Sequence, residues 1–140
     1  MKPITSDYSL DRQVGYLLRR VTQRHLSIFS AAIPDLTTTQ FAALAKLVEL
    51  GPQSQNTLGR ATSMDAATIK GVVDRLARDG LVVTSADPED RRRLTVSLTK
   101  VGMQLYAGRV ASALQVTAET LAPLNPDEQA TLVALLSRMA

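Results

Sequence analysis

Residues 54 to 99 constrain this chain most, because their local signals fall in one fixed order. SQNTLGRA has the pattern of a short helix, TSM that of a tight turn, and DAATIKGVVDRLARDG that of a second helix ending on a glycine. A strand, LVVTS, follows. Then come a charged loop, ADPEDRRR, and an alternating strand, LTVSLT. Helix, turn, helix and β-hairpin in that order predict a winged helix-turn-helix. Such a layout offers one helix to a DNA major groove. It also carries a hairpin tip whose arginines reach the backbone or the minor groove.

The flanks are helical. Leu10, Val14, Leu17, Leu18, Val21, Ile28, Phe29 and Ala32 recur at helical spacing, which predicts a helix over 9–32 that Pro34 and Asp35 break. Thr37 and Gln40 have capping-box spacing and start a helix through Leu50, stopped by Gly51 and Pro52. Thr99 is an N-cap for a long helix over about 100–122, with an apolar stripe at Met103, Ala107, Val110, Leu114 and Leu121. Asn125, Pro126 and Glu128 open a last helix carrying Leu132, Leu135, Leu136 and Met139. The expected fold is mainly α with a small β-hairpin wing. One unit, 1–140, is expected, with the winged part at about 36–99 and dimerisation helices at about 9–32 and 100–140. Two reading heads on a twofold dimer match two half-sites, so amphipathic terminal helices in a DNA reader predict a homodimer.

Composition removes other classes. A chain of 140 residues suffices for one domain, burying roughly two-thirds of its unfolded surface. With no Cys there are no disulfides or thiolate zinc sites, and one His argues against a conventional metal site. That His has no acid partner evident in the sequence, the carboxylates of 54–99 that cluster do so beside the wing arginines, and no Gly-rich phosphate loop occurs. We therefore expect no enzyme, no catalytic residue, no bound metal and no cofactor. No apolar run approaches the ~20 residues that span a bilayer. The opening MKPITSDYSLDRQ lacks the apolar core of a signal peptide, so a cytoplasmic protein without membrane contact is expected. Net charge is +3, and residues 54–99 hold seven basic and six acidic residues. The sum argues little for nucleic acid. The clustering of Arg91, Arg92 and Arg93 at a hairpin tip argues more, since phosphate contacts depend on where cations sit.

The helix order, the LTTTQFAALAKL opening of the second helix, the stretch IKGVVDRLARDGLV and the wing DPEDRRRLTVSLTKVG together resemble the MarR family of bacterial regulators. The resemblance covers nearly the whole chain. It implies a homodimeric winged-helix repressor, released from DNA by a small and often aromatic anion. It also implies that Ala66, Ala67, Thr68, Lys70 and Gly71 face the groove, although Gly71 departs from the larger, often basic residue common there. Arg75 is a further candidate on the same helix. In the family's pattern an acid at Asp90 orients an arginine at Arg92.

Chemistry fits these roles. Asp65 caps the reading helix, Lys70 can donate to guanine or phosphate, Thr68 can bond either, and an alanine methyl can touch a thymine methyl. Ile69, Val72, Val73 and Leu76 have core spacing. Leu94, Val96 and Leu98 alternate with Thr95, Ser97 and Thr99, as in a half-buried strand. Arg91 and Arg93 suit phosphates or the minor groove. The bland alternatives are a solvated helix face and a solvated charge run.

Arg19, Thr22 and His25 form a slanted ridge about 9 Å long beside apolar groups. Arginine binds a carboxylate in a fork and His bonds a ring substituent, so an aromatic acid fits. The pattern LLRR followed by His resembles aromatic-acid-responsive family members. Tyr16, Arg20 and Phe41 are further candidates. The expected effector is a benzoate-, hydroxybenzoate- or nicotinate-type acid. Wedged between dimer helices and heads, it would shift head spacing away from the ~34–36 Å that fits palindromic double-stranded DNA. Two rival classes stay open: a constitutive DNA binder without a ligand, and a winged-helix module for protein interaction.

Overall fold

The computed structural model describes residues 7–140. Residues 1–6, which open the stretch inspected for a signal peptide, lie outside the described residues. The helices are α1 (Val14–Ala32), α2 (Thr38–Leu50), α3 (Gln55–Ala61), α4 (Ala66–Arg78), α5 (Lys100–Leu121) and α6 (Pro126–Met139). The strands are β1 (Gln53–Ser54), β2 (Val82–Ala86) and β3 (Leu94–Leu98). This is the winged helix-turn-helix expected from sequence, with helices before and after it. Among the described residues no helix is long and apolar enough to cross a membrane.

Caps set the helix starts. Thr37 and Gln40 bond reciprocally, as do Asn125 and Glu128, so both capping boxes form. Ser54 accepts from the Thr57 amide at 3.1 Å, which makes it the cap of α3 rather than its first residue. The predicted helix over 9–32 begins later. Leu10–Arg12 is a 3-10 turn, and Gln13 is extended at ψ 134° before α1 starts.

Two compact units emerge, residues 33–112 and residues up to Ala32 with Ala113–Ala140. The division falls inside α5, so the first turns of that helix group with the reading head.

The core of unit 33–112 is apolar. Leu44, Leu47, Leu58, Ile69, Val72, Val73, Leu76, Val82 and Val96 are all buried. α4 packs on α2 and α3. The sheet has β3 at its centre in the order β1-β3-β2, all antiparallel. Val82 pairs with Leu98 and Ala86 with Leu94. β1 was not expected, because two residues carry no alternation to detect. The alternation of β3 is only partly used. Val96 is buried, but Leu94 at the outer end is 40% exposed. In the same unit Arg109 grips Asp35 through Nη2 at 2.6 Å and Nε at 3.2 Å. Those hydrogen bonds hold the Asp35 carboxyl below its ordinary range, against a smaller effect of burial.

A tight junction fixes the wing to α4. Gly80 ends α4 at φ 76°, a left-handed backbone that suits glycine. The next carbonyl, Leu81, accepts from the Thr99 amide at 3.1 Å, and Thr99 Oγ1 donates to the Gly80 carbonyl at 2.7 Å. The same hydroxyl accepts from the Gly102 amide at 3.0 Å, capping α5. α5 passes so close that a Cβ on Gly102 would strike the Leu81 carbonyl oxygen, with the carbonyl carbon at 2.9 Å.

In the other unit Phe29 and Val116 are buried. Arg24 donates to the carbonyls of Thr120 at 2.8 Å and Glu119 at 2.9 Å. A cation there suits the orphan carbonyls that end α5. Large apolar side chains stay exposed along α1 (Val14, Leu17, Leu18, Val21) and α6 (Val133, Leu135, Leu136, Met139).

Gly102→Ala should destabilise the chain, because the contacted atoms are backbone and cannot yield. Overpacking of this kind costs about 1–3 kcal/mol. Gly108 in the same helix has open space around it. Gly108→Ala should be neutral or stabilising by up to about 1 kcal/mol from helix propensity. Thermal unfolding of the two variants checks the contrast, and equal melting temperatures would refute the close contact.

Candidate functional site

α4 presents its start and buries its back. Ile69, Val72, Val73 and Leu76 are fully buried, so their 3.6-residue spacing fixes which face is free. Ala66, Ala67, Thr68 and Lys70 lie on the exposed side, as predicted. Asp65 Oδ1 accepts from the Thr68 amide at 2.7 Å. That bond, with help from the Thr68 side chain, holds the Asp65 carboxyl below its ordinary range. Ser63 closes the turn before the helix at φ 56°, and the Met64 amide bonds the Gly59 carbonyl at 2.8 Å.

Lys70 is engaged with Asp74 at 2.8 Å, one helical turn on. Both side chains are well exposed, so the pair contributes about 0–1 kcal/mol and yields readily to a phosphate. Gly71 is half-buried, and Arg75 uses the room it leaves. A Cβ at Gly71 would lie 3.4 Å from Arg75 Nη1. The Arg75 guanidinium therefore lies beside position 71.

The wing loop is tied to itself. The Asp87 amide bonds the Arg93 carbonyl at 2.8 Å, and the Arg93 amide bonds the Asp90 carbonyl at 2.9 Å. Asp90 Oδ1 accepts from the Arg92 amide at 3.0 Å, while Arg92 Nε stands 3.5 Å from the same oxygen. The expected Asp90–Arg92 pair therefore forms, chiefly through the backbone. Arg91, Arg92 and Arg93 are all exposed.

Two clefts flank α3 that sequence reasoning missed. One, about 180 Å³, is lined by Asn56, Gly59, Arg60, Met64, Ala66 and Ile69. The other, about 70 Å³, lies among Gln55, Asn56, Arg92, Arg93 and Leu94. The β1–β3 pairing brings the start of α3 toward the wing, and β1 is too short to read.

The proposed effector residues are spread out. His25 Nδ1 lies 2.8 Å from Thr120 Oγ1 and is half-buried. Arg19 and Thr22 are exposed. Arg20 stands 5.9 Å from the ring centre of Tyr16, a cation–π contact. A shallow cavity of about 360 Å³ on α1 is lined by Leu17, Arg20, Val21 and Arg24. Of the expected ligand residues, Arg20 lines it and Arg19, Thr22 and His25 do not. Phe41 belongs to unit 33–112, where it packs on Tyr106 with ring centres 5.3 Å apart.

A model of the MarR family matches residues 36–94. The transcriptional repressor NicR of Pseudomonas putida is 42% identical over 134 residues, 94% of this chain and 85% of that protein. A crystal structure of a probable transcriptional regulator from Pseudomonas aeruginosa superposes with a TM-score of 0.90 at 50% identity. The match covers 94% of this chain and all of that one, 100%. BpsR of Bordetella bronchiseptica, whose DNA binding is regulated by 6-hydroxynicotinic acid, superposes with a TM-score of 0.90 at 42% identity. There the match covers 96% of this chain and 97% of that one.

The Asp65 cap makes the start of α4 sensitive to acid. A carboxyl held low in the folded state adds stability above its unfolded pKa, and that stability is lost as pH falls through the folded pKa. Asp65→Asn keeps a capping oxygen but cannot titrate. The stability advantage of wild type over Asp65→Asn should therefore shrink as pH drops through the carboxylate range. Urea unfolding across that range checks it, and a difference independent of pH would refute it.

Proposed function

Because this chain belongs to the MarR family of transcription regulators, we propose that it is a homodimeric repressor of a palindromic operator, released by a small aromatic carboxylate. The observation that carries this reading is an exposed α4 start, with Ala66, Ala67, Thr68 and Lys70, on the same unit as an arginine wing tip, Arg91 to Arg93. Arg75, beside Gly71, adds a cation to the same helix. The family reading makes the chain a regulator rather than an enzyme.

α4 enters the major groove, where Thr68 and Lys70 meet base edges and the alanines meet thymine methyls. The wing arginines meet phosphates or the minor groove. The exposed apolar faces of α1 and α6 favour a dimer, since contiguous apolar surface marks an interaction site. Sedimentation at micromolar concentration should then give about twice the chain mass.

The regulation of BpsR by 6-hydroxynicotinic acid favours a nicotinate-type effector among the aromatic acids. Arg19 takes the carboxylate and His25 the ring substituent, with Tyr16, Arg20 and Thr22 as neighbours on α1. His25 already spends Nδ1 on Thr120, which leaves Nε2 for the effector.

Replacing Arg91, Arg92 and Arg93 by Ala should weaken binding to every DNA and flatten its salt dependence. Thr68→Ala and Lys70→Ala should instead lower the ratio of operator to random-DNA affinity. Unchanged affinity and salt slope in the wing variant would remove the wing from the interface.

Arg19→Ala should weaken effector binding by roughly ten- to a thousandfold, the cost of removing a charged partner from a carboxylate. His25→Ala should cost about 0.5–1.5 kcal/mol. Both should still bind DNA without effector. Release of operator against 6-hydroxynicotinate concentration is the measurement. Superimposable curves for wild type and both variants would place the effector elsewhere, and no release in any of them would favour a constitutive binder.

A further inference from the structure

β1 is two residues long, yet it decides what stands beside the wing. It pairs Gln53 with Val96 and Ser54 with Thr95. α3 begins at the next residue, so Gln55 and Asn56, in its first turn, stand near the outer end of β3. The cleft of about 70 Å³ opens at that place, lined by Gln55, Asn56, Arg92, Arg93 and Leu94. Gln55 Oε1 is buried and has no hydrogen-bond partner among the described residues. A buried amide oxygen without a donor is unfavourable, and it accepts one when one is delivered.

Position tells what the cleft faces. In the proposed complex α4 lies in a major groove and the wing reaches the adjacent minor groove. The sugar-phosphate backbone separates those grooves, so protein between α4 and the wing meets phosphates. α3 supplies that protein. Asn56 lines both the wing cleft and the cleft that reaches Ala66, the first residue of α4.

We propose that the Gln55–Arg93 cleft is a seat for one phosphodiester of bound DNA. Arg93 turns its guanidinium into the cleft, donates one N–H to Gln55 Oε1 and directs others at a phosphate oxygen. The Asn56 carboxamide donates to the same phosphate. A guanidinium has five donors in a rigid plane, so it serves both acceptors at once. Arg92 is drawn toward Asp90, which leaves Arg93 for this task. Gln55 is a positioning residue: it touches the arginine and not the DNA. No base is contacted, so the contribution is the same on every sequence.

This inference rests on the DNA-binding reading and is tested on a random-sequence duplex across a salt series. The variants are Gln55→Leu, Arg93→Ala and the double substitution, with Gln55→Met as a second variant should Leu pack badly. Gln55→Leu removes an unsatisfied oxygen, so the free protein should melt at the same temperature or higher. Its affinity for the duplex should nevertheless fall about three- to tenfold, the effect of one hydrogen bond. In the Arg93→Ala background the Gln55 substitution should have no further effect, because the two residues act as one. Full affinity in both Gln55 variants, or losses that simply add, would overturn the seat while leaving DNA binding intact. Wild type without salt-dependent binding would overturn the DNA-binding reading and the seat together.

Discussion

Everything the reading head presents depends on the contact between α5 and the Leu81 carbonyl. Four segments meet there: Gly80 just past α4, the start of β2, Thr99 just past β3 and the first turn of α5. The Thr99 hydroxyl donates to Gly80 and accepts from Gly102, so one side chain serves both ends of the hairpin. A hairpin anchored only by its two strands would twist freely on its base. Here its base is bonded to the exit of the helix proposed to read DNA. The wing arginines and the α4 face are therefore held in one frame, which a two-groove grip requires.

The electrostatics of the head follow from pairing rather than from net charge. Lys70 is paired with Asp74 and Arg92 with Asp90. These pairs are exposed, so each holds its cation weakly while orienting it. An incoming phosphate backbone offers a denser array of acceptors, and the pairs can exchange at little cost. A nearly balanced head of seven basic and six acidic residues is thus compatible with binding a polyanion.

The sequence disclosed most of this through caps and periodicity. Both capping boxes, the Thr99 cap and the buried face of α4 were legible, because each depends on residues within one or two turns. What was not legible depends on distant pairing. β1 has no pattern of its own and exists because β3 runs beside it. Gln55 and Asn56 therefore read as ordinary first-turn residues, and their place beside the wing was invisible. The 3-10 turn at Leu10–Arg12 was missed for another reason: an apolar periodicity that continues across a break does not register it. On α1 the periodicity named the right apolar residues but could not tell core from open surface, since Leu17, Leu18 and Val21 are exposed while Phe29 is buried.

In the effector site proposed for α1, the hydrogen bond between His25 and Thr120 sets what His25 can offer a ligand. It fixes the imidazole plane and, by engaging Nδ1, leaves Nε2 as the nitrogen available to a ligand. If Thr120 donates, Nε2 carries the proton and suits a carboxylate or phenolate oxygen. If His25 donates through Nδ1, Nε2 is an acceptor and suits a phenol or a ring N–H. A hydroxylated aromatic acid offers both kinds of partner, so the tautomer selects how it lies rather than whether it binds. Arg24 stands beside this pair on the last carbonyls of α5. In the proposed effector site, a ligand that altered the His25–Thr120 bond would act on the end of α5. Its leverage is bounded by linkage: it can favour one arrangement of α5 only by as much as it binds that arrangement more tightly.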